Sequence, residues 1–189
     1  MTTFTTDETF KNQNFTEKPL SVGEYDNCTF SNCNFAKSNL SDTSFMECVF
    51  ENCDISLAKL KGTVFRDVKF KNCKLLGLHF NDCNSFIISF EFENCILNFS
   101  SFFKLKLKAT TFSDCKLEEA DFSETDLTNS KFINCDLTRT VFRNSILEGA
   151  DFRTAANFSI DPEQNKMKKA KFSSQNIVGL LDKYGIVLE

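Results

Sequence analysis

Large apolar residues recur at every fifth position along most of this chain. They run Phe10, Phe15, Leu20, Tyr25, Phe30, Phe35, Leu40, Phe45, Phe50, Ile55, Leu60, Phe65, Phe70, Leu75 and Phe80. From Phe92 the rule resumes through Leu97, Phe102, Leu107, Phe112, Leu117, Phe122, Leu127, Phe132, Leu137, Phe142, Leu147 and Phe152. Neither the helical period of 3.6 nor the strand period of 2 divides into five, so the pattern is neither an amphipathic helix nor a flat sheet. Two residues before each large one (position i) the residue is mostly small, as at Cys28, Cys33, Ser38, Thr43, Cys48, Cys53, Ala58 and Thr63. The same holds later at Ser100, Thr110, Cys115, Ala120 and Thr125, with Val68, Leu78 and Leu105 as larger exceptions. Positions i-1, i+1 and i+2 are mostly polar. A chain that alternates in and out and turns a corner every five residues has this pattern, with i and i-2 inward and the rest facing water.

Four such sides close a square coil of 20 residues, and two columns test that period. Phe30, Phe50, Phe70, Phe92, Phe112, Phe132 and Phe152 are spaced by 20 residues except for one step of 22. Cys33, Cys53, Cys73, Cys95, Cys115 and Cys135 show the same spacing and the same slip. The slip falls in Ser85–Glu91, where Phe86, Ile87, Ile88 and Phe90 break the pattern, and it predicts a bulge at one corner. The fold class that follows is an all-β solenoid whose coils stack about 4.8 Å apart. No coil buries its large residues alone, so neighbours must supply the contact.

The ends depart from the rule. Positions i-2 of the first coil are Glu8, Gln13, Lys18 and Gly23, which predicts an irregular, partly polar capping coil. The period fails after Ala155, and we divide the chain into a β-helix over 1–158 and a C-terminal helical cap over 159–189. Asp161-Pro162-Glu163 reads as a helix start, with Asp as N-cap and Pro at the first helical position. A second helix is expected from Ser173 or Ser174 to about Tyr184, with Gly185 ending it. Its apolar residues Ile177, Val178, Leu180, Leu181 and Tyr184 form a stripe extended by Ile186, Val187 and Leu188.

Composition adds little that the repeat does not explain. The chain has 189 residues with 23 Phe, 9 Cys, no Trp and a net charge of -4. The acidic balance argues against direct nucleic-acid binding. The start has no basic region followed by an apolar stretch, and no run is long enough to span a membrane, so a cytoplasmic protein is expected. All nine Cys fall at i-2, which makes them small packing residues and leaves stacked thiols in poor geometry for disulfides. His79 is the single histidine, at an outward i-1 position, so zinc pairs and Ser–His or Cys–His catalysis have no partner. No catalytic, metal or cofactor site is expected. The densest acidic cluster is Asp114, Glu118, Glu119, Asp121, Glu124 and Asp126, all outward, whereas Lys61, Arg66, Lys69, Lys71 and Lys74 make the middle basic. One reading of the cluster is a solvated face; the other is a strip of carboxylates imitating duplex phosphates toward a basic groove.

The repeat resembles the pentapeptide-repeat family, with its Ala-Asp/Asn-Leu-X-X consensus. Ala120-Asp121-Phe122-Ser123-Glu124, Ala150-Asp151-Phe152-Arg153-Thr154 and Ser38-Asn39-Leu40-Ser41-Asp42 carry the resemblance. It implies a right-handed quadrilateral parallel β-helix. The tail is similar to the Qnr-type, quinolone-resistance subgroup in Asn157-Phe158-Ser159-Ile160-Asp161-Pro162, Lys169-Ala170-Lys171-Phe172-Ser173 and Gly179-Leu180-Leu181. That subgroup implies a non-enzymatic DNA mimic that binds type II topoisomerases, DNA gyrase or topoisomerase IV, and modulates quinolone sensitivity. It also implies a homodimer through the C-terminal segment, with Ile177, Val178, Leu180, Leu181, Tyr184, Ile186 and Leu188 at the interface. The sequence departs from the subgroup in having a two-residue slip where many members carry long projecting loops. A generic interaction rod with an unrelated cytosolic partner is the alternative.

Overall fold

The computed structural model describes residues 3–86 and 88–186. Its strands are β1 (Thr3–Thr6), β2 (Thr9–Lys11), β3 (Gly23–Asp26), β4 (Thr29–Ser31), β5 (Ser44–Met46), β6 (Val49–Glu51), β7 (Val64–Lys71), β8 (Ile88–Glu93), β9 (Thr111–Ser113) and β10 (Lys131–Ile133). Every pairing is parallel, and partners lie one coil apart: Phe30 beside Phe50, Phe50 beside Phe70, then Phe70 beside Phe92. The chain therefore winds as a square β-helix with four walls. Wall A carries the Phe30–Phe152 column; walls B, C and D follow it in chain order. Walls B and C are held by single parallel bridges, such as Asn34 to Asp54 to Lys74 to Ile96 on B and His79 to Ser101 to Asp121 to Val141 on C.

Corners are turned by placing residue i+2 in the left-handed region. Most L-residues resist this conformation by roughly 1–2 kcal/mol, and Asn and Asp resist it less. The corner between walls A and B uses Asn12, Asn32, Asn52, Asn72, Asn94, Asp114 and Asn134, all with φ of 51–54°. Their side chains link successive coils, with Asn94 Nδ2 donating to Asn72 Oδ1 at 2.8 Å and Asn134 Nδ2 to Asp114 Oδ1 at 3.1 Å.

Inside, the wall A rings stack face to face. Consecutive centroids from Phe10 through Phe172 lie 4.8–5.4 Å apart. Position i-2 does more than stay small. Its side chain donates a hydrogen bond to the inward carbonyl of a large residue one coil earlier. Thr125 Oγ1 reaches Phe102 O at 2.8 Å, Ser130 Oγ reaches Leu107 O at 2.7 Å, and Cys73 Sγ reaches Phe50 O at 3.3 Å. The partner is 23 residues back in most coils and 25 back for Cys95 and Ser100, where the slip intervenes. On walls C and D this bond is a second one to a carbonyl that already accepts a turn N–H, as Phe102 O does from Leu105 N, and a further buried hydrogen bond worth about 0.5–1.5 kcal/mol favours Cys, Ser and Thr at this position.

The slip is a bulge: the register of β7 against β8 shifts between Phe65 and Val68. Ser89 fills the turn there, donating from Oγ to Asp67 Oδ1 at 2.8 Å. The first coil is regular earlier than expected. β1 and β2 pair in register with β3 and β4, and the irregular part is a turn in which the backbone N–H groups of Glu17 and Lys18 donate to Asn14 O.

The C-terminal expectations need correction. No α-helix starts at Asp161; its carboxylate instead closes a turn by accepting from Glu163 N at 2.9 Å and Gln164 Nε2 at 2.8 Å. The stacking then continues beyond Ala155. Lys166 and Lys171 bridge to Ile146 and Asp151, and the Phe172 ring lies 5.3 Å from that of Phe152. The second helix is a pair of 3-10 helices, Ile177–Leu180 and Asp182–Tyr184. They cross the open end so closely that a Cβ on Gly179 would sit 2.1 Å from Phe158 O. Lys183 clasps this segment to the Asp161 turn, 2.7 Å from Asp161 and 2.6 Å from Glu163.

Candidate binding surface

The expected structural columns are all internal. Phe30, Phe50, Phe70, Phe92, Phe112, Phe132 and Phe152 are buried, as are Cys33, Cys53, Cys73, Cys95, Cys115 and Cys135. The nine cysteines are free thiols. Burial pushes the Cys48 thiol up to about 12 and also raises Cys83, so both sulfurs stay protonated, and that of Cys48 donates to Tyr25 O. Among the described residues no group of three or more His, Cys, Asp or Glu is placed to hold a metal, and no helix is long and apolar enough to cross a membrane.

The six candidate carboxylates do not form a strip. Asp114 sits at the A/B corner, Glu118 and Glu119 at the B/C corner, Asp121 on wall C, Glu124 at the C/D corner and Asp126 on wall D. Together they ring one coil. Most are also engaged by the coils on either side. Arg139 Nε donates to Glu119 Oε1 at 2.9 Å and its NH2 group binds Glu118; Lys104 lies 3.4 Å from Glu124 and Lys108 3.3 Å from Asp126. Partial burial pushes the Asp126 carboxyl up, but bonds from Thr128 and Lys108 outweigh this and hold it below its ordinary range. Asp114 accepts from Asn134 and Asp121 from Ser123 N, and neither has a cation partner among the described residues. The structure thus brings together only Glu118 and Glu119, through Arg139.

Of the expected dimer residues, Ile177, Val178, Tyr184 and Ile186 are exposed at the C-terminal end. Leu180 turns inward and packs against the core, and Leu181 is half-buried. Tyr184 is tied by its hydroxyl to Glu163 Oε1 at 3.1 Å. Leu188 lies outside the described residues, as does Ile87 in the slip.

Two features escaped the sequence reading. One is the Asn edge, which could have been found by tracing residue i+2 at the 20-residue period. The other is an apolar edge between walls B and C, where Leu57 and Phe99 stand exposed in the left-handed conformation. The same tracing would have exposed it.

A parallel β-solenoid whose coils repeat every 20 residues around a filled core belongs to the class of stacked-repeat proteins. The family model described as the pentapeptide repeat region matches residues 24–91 and 85–179. The chain belongs to the pentapeptide-repeat family. A search of curated proteins returns no match. Among solved structures it is similar to a trypsin-treated variant of QnrB1, a plasmid-mediated fluoroquinolone resistance protein, with a TM-score of 0.64 at 16% identity, covering 99% of this chain and 100% of that one. Full-length QnrB1 matches with a TM-score of 0.55 at 17% identity over 97% of this chain and 100% of that one. The rod is of the Qnr kind in fold.

Proposed function

We propose that this rod is a non-enzymatic ligand of a type II topoisomerase, DNA gyrase or topoisomerase IV, which it binds in the cytoplasm in competition with DNA, so modulating quinolone sensitivity. The observation that carries the reading is the end-to-end fold likeness to QnrB1, a fluoroquinolone resistance protein. The homodimer would form through Ile177, Val178, Tyr184 and Ile186, the apolar groups left exposed at the C-terminal end. In this reading Asp114 and Asp121 make the first electrostatic contacts, because the other carboxylates of the ring already have cation partners. Gyrase supercoiling with and without a quinolone tests it. Inhibition at micromolar protein should weaken as salt rises and on charge reversal at Asp114 and Asp121. No effect on supercoiling removes the proposal.

A second reading, a scaffold rod with an unrelated partner, is favoured by the same ion pairs, since Arg139, Lys104 and Lys108 engage four of the six carboxylates of the ring. Recovery of other proteins but no topoisomerase on the immobilised rod would select it.

A further inference from the structure

The B/C edge combines costs that the isolated rod does not need. Elsewhere the left-handed corner residues are Asn, Asp, Glu, Lys, Arg, Gly or Ala; Leu57 (φ 58°) and Phe99 (φ 61°) are the large apolar ones among the described residues. A bulky side chain resists this conformation most. Neither residue recovers the cost by burial, since Leu57 is 55% exposed and Phe99 56%. They lie in one column with Gly77 between them. Leu57 N donates to Leu76 O, Gly77 N to Asn98 O and Phe99 N to Glu118 O, each one coil onward. Gly77 is what allows Leu57 to lie along the edge: a Cβ there would come within 2.7 Å of Leu57 Cδ2. Half-buried Leu76 and Ile96 on wall B widen the patch.

A further observation falls on the same edge. Lys59 and Lys74 flank it, with Lys37 before it and Lys116 beyond it, and none of the four has an ion-pair partner among the described residues. Opposing them are Asp54, which bridges along the backbone to Lys74, Asp121 at the far end of the edge on wall C, and Glu118 and Glu119, both already bound to Arg139.

We infer that the edge carrying Leu57, Gly77 and Phe99 is a docking site for an acidic segment of a partner protein bearing large apolar side chains. The apolar groups of such a segment cover Leu57 and Phe99, and its carboxylates meet the unpaired lysines. The charge pattern rules the choice: an apolar centre within a cationic rim suits an acidic amphipathic peptide, whereas a nucleic acid would gain only from the rim. The site is independent of the proposed topoisomerase contact.

Fluorescence anisotropy of the full chain with labelled peptides of about fifteen residues tests this. One peptide carries Leu or Phe at every third or fourth position among Glu and Asp; a matched peptide has Ala in place of Leu and Phe; a single-stranded oligonucleotide of similar length is the third probe. The apolar acidic peptide should bind at least about tenfold more tightly than either control. The double variant Leu57→Asn with Phe99→Asn should lose about tenfold or more in affinity while melting at the same or a higher temperature, because Asn suits the corner better. Lys59→Glu with Lys74→Glu should weaken binding without changing the melting temperature. Equal binding of the Ala peptide or the oligonucleotide, unchanged binding by the Leu57/Phe99 variant, or no binding of the apolar peptide overturns the inference. Protein concentration-dependent self-association abolished by the Leu57/Phe99 variant would also overturn it, by making a second copy the occupant.

Discussion

The rod has two halves that solve the same packing problem differently. Below the slip further aromatic stacks lie on the walls beside wall A, with Tyr25, Phe45 and Phe65 on wall D at centroid spacings of 5.5 Å and a Phe15–Phe35 pair on wall B at 4.4 Å. Above it the second stack lies on wall C, opposite wall A, where Phe80, Phe102, Phe122 and Phe142 are spaced at 4.6–5.4 Å. Leu40 and Leu60 fill wall C below, and Leu107, Leu127 and Leu147 fill wall D above. In both halves the two stacks meet edge to face, as in Phe45 with Phe50 (73°) and Phe112 with Phe122 (87°). Between them Phe90 occupies a normally small i-2 position, tilted 55° to Phe65 and 41° to Phe92. The square core therefore accepts aromatic columns on walls adjacent or opposite to wall A, and the bulge is where the arrangement changes over.

The largest expected effect treats the halves as equals. Phe112→Ala in the upper half and Phe50→Ala in the lower should each destabilise by about 3–5 kcal/mol in urea unfolding, because both rings lie between stacked neighbours. A large difference between them would mean the two packings are not equivalent. Exchanging walls asks whether the choice matters: Phe122→Leu with Leu127→Phe keeps volume and should cost about 1–3 kcal/mol, through clashes with rings already placed. A cost near zero would make the wall assignment arbitrary. The i-2 donors differ between halves as well. The column feeding wall A has Cys28 and Cys48 below the slip and Thr110 and Ser130 above it. Ser130→Ala should cost about 0.5–1.5 kcal/mol by removing the shorter of the two bonds to Leu107 O, which keeps the Thr110 N–H, and Cys48→Ala less, since a thiol is the weaker donor to Tyr25 O.

The smallest effect is a pH dependence. The Cys48 thiol is raised to about 12 in the folded chain, so its contribution is complete below the ordinary thiol value of 9. It is lost as pH climbs from there toward 12, where the unfolded chain releases the proton and the folded chain keeps it. The melting temperature should be flat from pH 7 to 8 and fall above 9, and Cys48→Ser should soften the fall. An identical profile in the variant would show that other groups govern it.

The repeat, its period, both internal columns and the position of the slip were legible because each is a spacing, and stacking writes spacing directly into the chain. The hydrogen bonds made by i-2 were not, since Cys, Ser and Thr look merely small until the inward carbonyl one coil earlier is seen. The acidic cluster misled in the opposite way. Asp114 to Asp126 is a short stretch of chain, but a coil turns a corner every five residues, so neighbours in sequence face different directions. The period already in hand implied that ring. At the C-terminus, Ile177, Val178, Leu180, Leu181 and Tyr184 fit a helical stripe, but covering the square end requires the shorter 3-10 turns that press Gly179 against Phe158.

The i-2 bonds also have a direction. Each donor belongs to the later coil and each acceptor to the coil before it, so a finished turn presents a row of carbonyls that the next stretch of chain completes. Synthesis from the N-terminus meets this order naturally: the emerging polypeptide is templated by what has already folded, much as a course of bricks is set on the one below.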